Sequence, residues 1–132
     1  MTVRISQLKI ALAEDVPGNR KLIARLLERL GHEIVCAVSN GAELVDECSG
    51  QKVDVVVTDL DMPVMDGLAA AQELSEKGIP VVLVSGHPDA EEIVLEHEPV
   101  VARVLKPASL ESLQSAIEQA LAGVNKVSRH PK

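Results

Sequence analysis

The sequence has 132 residues, of which 46% are hydrophobic and 25% charged, and its formal net charge is −7 at pH 7. These values are typical of one globular domain and leave little length for a second domain of ordinary size. The negative charge argues against nucleic acid as the main ligand, because Lys and Arg bind phosphate backbones. Since the chain has no Phe, Tyr or Trp, aromatic cages and base-stacking platforms are excluded.

The sequence gives no sign of export or of membrane insertion. Cys36 and Cys48 lack metal-ligand spacing and are predicted to be packed free thiols. No segment is typical of a signal peptide, and no apolar run approaches the roughly 20 residues that cross a bilayer. We therefore expect a cytoplasmic protein with no membrane partner.

Short aliphatic runs alternate with amphipathic segments along most of the chain. In chain order, strands are predicted over residues 8–13, 34–38, 53–58, 79–84 and 100–105. Helices are predicted over residues 17–30, 42–48, 67–77, from about Pro88, and from an N-cap at Ser109 to Gly123. This alternation predicts an α/β fold, a doubly wound three-layer sandwich with a five-stranded parallel sheet and five helices. Residues 1–123 form the predicted domain, and the basic residues 124–132 a disordered tail.

Polar residues follow four of the five predicted strands. Glu14 and Asp15 follow the first strand, Asp59 the third, Ser85 the fourth and Lys106 the fifth. Because the carboxyl ends of parallel strands share one edge of the sheet, these side chains are expected to meet there. Three converging carboxylates repel one another unless a cation neutralises them, and a hard ion such as Mg²⁺ suits oxygen ligands. Lys106 and Ser85 could then bind the oxygens of a phosphoryl group attached to Asp59.

These motifs together resemble the response-regulator receiver domain of two-component signalling over about residues 7–122. The matching features occur in order: an acidic pair after strand one, Asp-x-Asp-Met-Pro-x-Met-Asp-Gly after strand three, Ser-Gly after strand four and Lys-Pro after strand five. The resemblance implies a flavodoxin-like sheet with strand order 2-1-3-4-5. It also implies a signalling switch that catalyses only its own dephosphorylation.

The resemblance implies a role for each acidic residue of the site. Asp59 would be the phosphoacceptor, taking a phosphoryl group from a histidine kinase or a histidine phosphotransfer protein. Asp15 and Asp59 would ligate Mg²⁺ directly, Glu14 would act mostly through water, and Asp61 would contribute its main-chain carbonyl. Asp61 and His87 also occupy positions that tune hydrolysis of the aspartyl phosphate.

Ser85 and Lys106 would bind the phosphoryl oxygens, and the Lys106–Pro107 peptide is expected to be cis. Two positions depart from the family pattern. Arg103 stands where an aromatic residue often accompanies activation, and Ala108 stands where Phe often follows Lys-Pro. If the chain switches, a group other than an aromatic ring must move.

Further residues have predicted roles, and two other functions fit part of the sequence. Asp66 is predicted to cap the helix after strand three, and His32, His97 and His130 are expected to be solvated. The readout of a phosphorylated switch would be a separate output protein or a further part of a longer chain. The alternatives are a receiver-like scaffold that is never phosphorylated and a haloacid-dehalogenase phosphatase, whose Asp-x-Asp motif also fits Asp59 and Asp61.

Overall fold

The computed structural model describes residues 7–86 and 100–129. Its strands are β1 (Lys9–Ala13), β2 (Glu33–Val38), β3 (Val55–Asp59), β4 (Val81–Ser85) and β5 (Val100–Leu105). Its helices are α1 (Pro17–Arg29), α2 (Gly41–Ser49), α3 (Gly67–Ser75) and α4 (Leu110–Arg129). The predicted helix near Pro88, together with His87, His97 and His130, lies outside the described residues.

The five strands form one parallel sheet in the order β2-β1-β3-β4-β5. The predicted α/β fold and strand order are therefore confirmed. All five residues of β3 and of β4 are buried. This explains their nearly continuous aliphatic sequences, since central strands of a parallel sheet are covered on both faces.

The core consists of two layers, one on each face of the sheet. Alternate residues of β1 belong to different layers: Ile10 and Leu12 lie in one, and Ala11 and Ala13 lie in the other. The first layer packs against α1 and α4 through buried residues that include Ile23, Leu27, Leu113 and Ile117. The second packs against α2 and α3, with Leu44, Cys48, Ala70, Ala71 and Leu74. Aliphatic side chains, with Cys48 and Met62 in the second layer, thus fill the described core, which agrees with the absence of aromatic residues.

Polar caps fix the starts of three helices. Asn40 accepts a hydrogen bond from the Glu43 amide at the start of α2, and Asp66 accepts one from the Ala69 amide at the start of α3, both at 2.9 Å. Ser109 Oγ accepts one from the Ser112 amide at 3.0 Å before α4. These contacts confirm the predicted caps at Asp66 and Ser109. In α1, Pro17 starts the helix, but the preceding Val16 provides no side-chain cap.

Two sequence-based predictions about local structure are wrong. The sequence predicts that the last helix ends at Gly123, but α4 continues to Arg129. An interior glycine costs a helix only about 1 kcal/mol, and no proline interrupts residues 124–129. His32 was expected to be solvated but is buried, and its Nδ1 accepts a hydrogen bond from the Leu8 amide at 3.2 Å. Burial lowers the pKa of His32.

Cys36 and Cys48 are free thiols, as predicted. Desolvation raises the pKa of Cys48 to about 11, so this thiol is protonated at neutral pH.

Within the described residues, no helix combines the length and the apolar character that a membrane crossing requires.

Candidate functional site

Asp59 is the last residue of β3 and lies at the carboxyl edge of the sheet. Its side chain is 8% exposed, and its Oδ1 accepts a hydrogen bond from the Leu60 amide at 2.9 Å. The main chain behind it is closely packed, because a Cβ atom on Gly67 would collide with the Asp59 carbonyl. The Gly67 amide also donates to the Leu60 carbonyl at 2.8 Å. The strand and the start of α3 therefore hold the Asp59 main chain in place, and the Leu60 amide orients its carboxylate.

Glu14 lies beside Asp59 because β1 and β3 pair, with Ala13 opposite Thr58. The Glu14 side chain is fully buried, and its Oε2 accepts a hydrogen bond from the Val16 amide at 3.1 Å. Its other oxygen, Oε1, makes no hydrogen bond to the described residues. A buried carboxylate oxygen with spare capacity is costly unless a cation satisfies it.

Lys106 provides one such cation. Its Nζ lies 3.1 Å from Glu14 Oε1 and 3.3 Å from Asp59 Oδ1, so one ammonium pairs with two carboxylates. The Lys106 amide donates to the Ser85 carbonyl at 2.9 Å, which joins the ends of β4 and β5. The peptide bond between Lys106 and Pro107 is cis, as the family resemblance implies. The structure thus brings residues from three strand ends into direct contact.

Burial and charge change the acidity of Asp59 and Lys106. Desolvation and the nearby Glu14 carboxylate raise the pKa of Asp59 to about 6, and the Lys106 ammonium and the Leu60 amide limit the rise. Burial opposes the charge of Lys106, but its contacts with Glu14 and Asp59 outweigh this effect and raise its pKa. At pH 7.5 Asp59 is mainly ionised, so its oxygens can act as ligands or as a nucleophile.

The three predicted carboxylates form a cluster that suits a divalent cation. One oxygen each from Glu14, Asp15 and Asp59 lies within 4.8 Å of the others, and the Asp15 side chain is exposed to solvent. All three donors are carboxylate oxygens, which is the ligand type of Mg²⁺. The residues therefore fit Mg²⁺. The contribution predicted for the Asp61 carbonyl stays a prediction.

The other predicted residues lie on β4, on β5 and in the segment that follows β5. Ser85 ends β4 and is 1% exposed, so its hydroxyl lies in the interior beside the sheet edge. Arg103 lies in β5 opposite Leu83 and is partly buried. Ala108, where the family often has Phe, borders a cavity of about 310 Å³ between α1 and this segment. Asn19, Leu22, Ile23, Lys106 and Pro107 line the rest of the cavity.

Sequence reasoning missed one contact of the site. Arg20 Nη1, from the first turn of α1, donates a hydrogen bond to the main-chain carbonyl of Glu14 at 2.8 Å. The only sequence signal is a long cationic side chain one helical turn after an acidic strand end. That signal does not distinguish a main-chain contact from a solvated arginine.

The response regulator receiver domain model matches residues 10–118 of the chain. The matched segment contains every described element except the end of α4 and the first residue of β1. Together with the parallel sheet and the acidic strand ends, this match shows that the chain belongs to the response regulator receiver family. Members of this family are phosphoryl-accepting modules of two-component signal transduction.

Individual relatives agree with this assignment. The chain is 34% identical over 117 residues to the transcriptional regulatory protein GlrR of Escherichia coli (strain K12), covering 85% of this chain and 26% of GlrR. It is 32% identical over 115 residues to the transcriptional regulatory protein PdtaR of Mycobacterium tuberculosis (strain CDC 1551 / Oshkosh), covering 86% and 56%. The chain thus spans between about a quarter and just over half of these relatives.

A solved structure supports the fold. The receiver domain of the sensor histidine kinase PA1611 from Pseudomonas aeruginosa PAO1, with a magnesium ion coordinated in its active site cleft, superposes with a TM-score of 0.76. The two sequences are 24% identical, and the match covers 89% of this chain and 99% of the other. The family membership and the place of Asp59 on the third strand argue against the haloacid-dehalogenase phosphatase alternative.

Proposed function

We propose that this receiver accepts a phosphoryl group on Asp59 from the phosphohistidine of a histidine kinase or a histidine phosphotransfer protein. One observation carries the proposal. The Asp59 carboxylate is fixed at the sheet edge with Lys106 at 3.3 Å and with two further acids close enough to share a cation. A structural ion pair would not need a third carboxylate, that of Asp15, next to the two that pair with Lys106.

The transfer needs an ionised Asp59. A carboxylate oxygen attacks phosphorus, the bond between phosphorus and the imidazole nitrogen breaks, and the electron pair leaves with the imidazole. A later attack by water on phosphorus restores the carboxylate and releases inorganic phosphate. With its pKa near 6, Asp59 is in the reactive form at pH 7 and above.

Mg²⁺ is the cofactor that we propose for this reaction. Asp15 and Asp59 would ligate it together with the Asp61 carbonyl, and Glu14 would act through water or directly. When bound, the ion neutralises the phosphoryl oxygens during transfer. Support comes from the carboxylate cluster and from the magnesium reported in the PA1611 receiver domain. Lys106, already beside Asp59, would bind one phosphoryl oxygen and Ser85 another.

Phosphorylation would act as a switch by favouring one of two conformations. New contacts from Ser85 and Lys106 to the phosphoryl group would stabilise that conformation and change the affinity for an output protein. GlrR and PdtaR are transcriptional regulatory proteins by name. The output could therefore lie in a separate protein or in a longer chain, and the expectation that this chain itself avoids nucleic acid stays a prediction.

Intact-mass spectrometry tests the proposal. The protein is incubated with Mg²⁺ and either acetyl phosphate or phosphoramidate, next to an Asp59→Asn variant. We expect one phosphoryl group per chain, which requires Mg²⁺, is lost on hydrolysis and is absent from the variant. If neither donor modifies the wild-type protein and calorimetry detects no Mg²⁺ binding, the scaffold alternative replaces the proposal.

A further inference from the structure

We propose that Arg20 is a positioning residue for the Mg²⁺ site: it holds the peptide between Glu14 and Asp15 in the orientation that directs Asp15 at the ion. This inference rests on the proposed function, because it concerns the metal that phosphoryl transfer would use. It is carried by the hydrogen bond from Arg20 Nη1 to the Glu14 carbonyl.

The argument begins with the planarity of the peptide unit. The Glu14 carbonyl oxygen and the Asp15 Cα lie in the same rigid plane. The Glu14 amide on the preceding side is bonded to the Val38 carbonyl at 3.0 Å. With β2 fixing one side and Arg20 fixing the carbonyl at 2.8 Å, the position of the Asp15 Cα is determined.

Asp15 depends on this main-chain support more than its neighbours do. The Leu60 amide and Lys106 orient the Asp59 carboxylate, and the Val16 amide and Lys106 orient that of Glu14. The Asp15 carboxylate is exposed and has no hydrogen bond or ion pair within the described residues. Before a cation binds, the range that this carboxylate can reach is therefore set by the position of its backbone.

The hydrogen bond from Arg20 to the Glu14 carbonyl also links the start of α1 to the end of β1. Val16, in the N-cap position, has no side chain that could accept a hydrogen bond from the first turn. The Arg20 side chain instead reaches back across that turn, and its own amide donates to the Val16 carbonyl at 2.9 Å. One residue thus joins the helix to the strand end that supplies two of the three carboxylates.

Charge and position predict opposite effects for the loss of Arg20. If the guanidinium acted only through its positive charge, its removal would strengthen Mg²⁺ binding, because one like charge near the cation would disappear. If it positions Asp15, its removal weakens Mg²⁺ binding. Loss of a residue that orients a metal ligand typically costs about 10- to 100-fold in metal affinity.

The test compares Arg20→Met with wild type and with Arg25→Met, which removes an exposed arginine from the same helix. Calorimetry measures the Mg²⁺ dissociation constant, and circular dichroism in EDTA measures the melting temperature. We expect the dissociation constant to rise about tenfold in Arg20→Met and to change less than twofold in Arg25→Met. Phosphorylation by phosphoramidate, followed by intact mass, should recover at saturating Mg²⁺.

A dissociation constant that is unchanged or lower in Arg20→Met overturns the inference, even if the melting temperature falls. If Arg20→Met does not fold, Arg20→Gln, whose side chain is two bonds shorter and has no guanidinium, decides the question by the same criterion. If the wild-type protein neither binds Mg²⁺ nor accepts a phosphoryl group, the proposed function fails. If wild type does both and only the Arg20 effect is missing, this inference alone fails.

Discussion

The Asp59 carboxylate is kept ionised at a cost to the stability of the fold. Its pKa of about 6, against an ordinary value of 3.8, means that the folded protein binds this proton more readily than the unfolded chain. As pH rises from about 4 to about 6, the unfolded chain loses the proton first, so the free energy of unfolding decreases. A shift of about two pKa units corresponds to a decrease of about 3 kcal/mol in the free energy of unfolding, and this decrease is nearly complete once the pH exceeds about 6.

We therefore expect Asp59→Asn to be more stable than wild type above pH 6. The amide removes the buried charge and its repulsion by Glu14, and it also loses the ion pair with Lys106, so the gain should be about 1–3 kcal/mol. Urea unfolding in EDTA, followed by far-ultraviolet circular dichroism, measures the difference. The gain should disappear near pH 4, and an equal gain at both pH values would assign it to another cause.

Val64 is a second residue that lowers the stability of the fold, in this case through its backbone conformation. Its φ is 69°, which is rare for a β-branched residue, and the Met65 amide closes a tight turn on the Pro63 carbonyl at 2.7 Å. The Val64 side chain is 84% exposed, so no buried contact compensates for the strain.

Asn tolerates this region of φ better than Val, so Val64→Asn should raise the free energy of unfolding by about 1 kcal/mol. Urea denaturation is the measurement. Lys52→Asn, at an exposed loop position without positive φ, should change stability by less than about 0.5 kcal/mol. Equal stability of Val64→Asn and wild type would mean that the turn is not strained.

At the scale of elements, glycines allow the loops around the site to pack against one another. A Cβ atom on Gly67 would collide with the Asp59 carbonyl, and one on Gly41 would collide with the Met65 carbonyl. The Gly41 amide donates to that same carbonyl at 2.9 Å. The start of α2, the segment after β3 and the start of α3 are therefore one packed unit behind Asp59.

We expect Gly67→Ala to lower the free energy of unfolding by at least about 2 kcal/mol, because backbone atoms must move to admit the methyl group. Gly18→Ala is the matched control. Gly18 also lies in the first turn of a helix, but no atom lies within 4 Å of its added Cβ. That variant should be neutral or up to about 1 kcal/mol more stable. Chemical denaturation of both variants tests the contrast, and similar losses in the two would contradict it.

The elements themselves were largely predictable from local signals. Runs such as Val55–Val57 indicate buried strands, and Pro17, Asp66 and Ser109 mark helix starts through chemistry that acts within one turn. The convergence of Glu14, Asp59 and Lys106 follows from the common edge of parallel strands. The strand order required the family resemblance as well, because alternation alone fits several orders.

Long-range side-chain contacts were not predictable in the same way. His32 is buried because its imidazole accepts a hydrogen bond from Leu8, a partner that hydrophobic periodicity cannot identify. Glu14 follows its strand as a solvated acid would, but it is completely buried and pairs with Lys106, a residue distant in sequence. The end of α4 was misplaced because glycine lowers helix stability without preventing a helix.

For the whole molecule, His32 and Asp59 give opposite contributions to the pH dependence of stability. The pKa of His32 is lowered in the folded state, so the unfolded chain binds this proton first as pH falls through 6.5. Below about pH 6.5, protonation of His32 in the unfolded chain therefore lowers the free energy of unfolding. Protonation of Asp59 in the folded protein, at the opposite edge of the sheet, raises it again in part.

His32→Asn separates the two contributions. Asn can accept the Leu8 hydrogen bond through its amide oxygen but does not titrate. We expect the free energy of unfolding of this variant, relative to wild type, to increase as pH falls from 7.5 to 5.5. Urea unfolding at several pH values measures it, and a difference that does not depend on pH would show that His32 is not protonated on unfolding in this range.

The cavity between α1 and the segment after β5 is a suitable place for a fluorescent reporter residue. Because the chain contains no tryptophan, tyrosine or phenylalanine, it has no intrinsic ultraviolet fluorescence. Leu22 lines the cavity and is 48% exposed, so a tryptophan at this position would be the sole emitter, in the same cavity as the lysine that contacts Asp59. Its emission would report ligand binding at the sheet edge in real time, without background from the rest of the molecule.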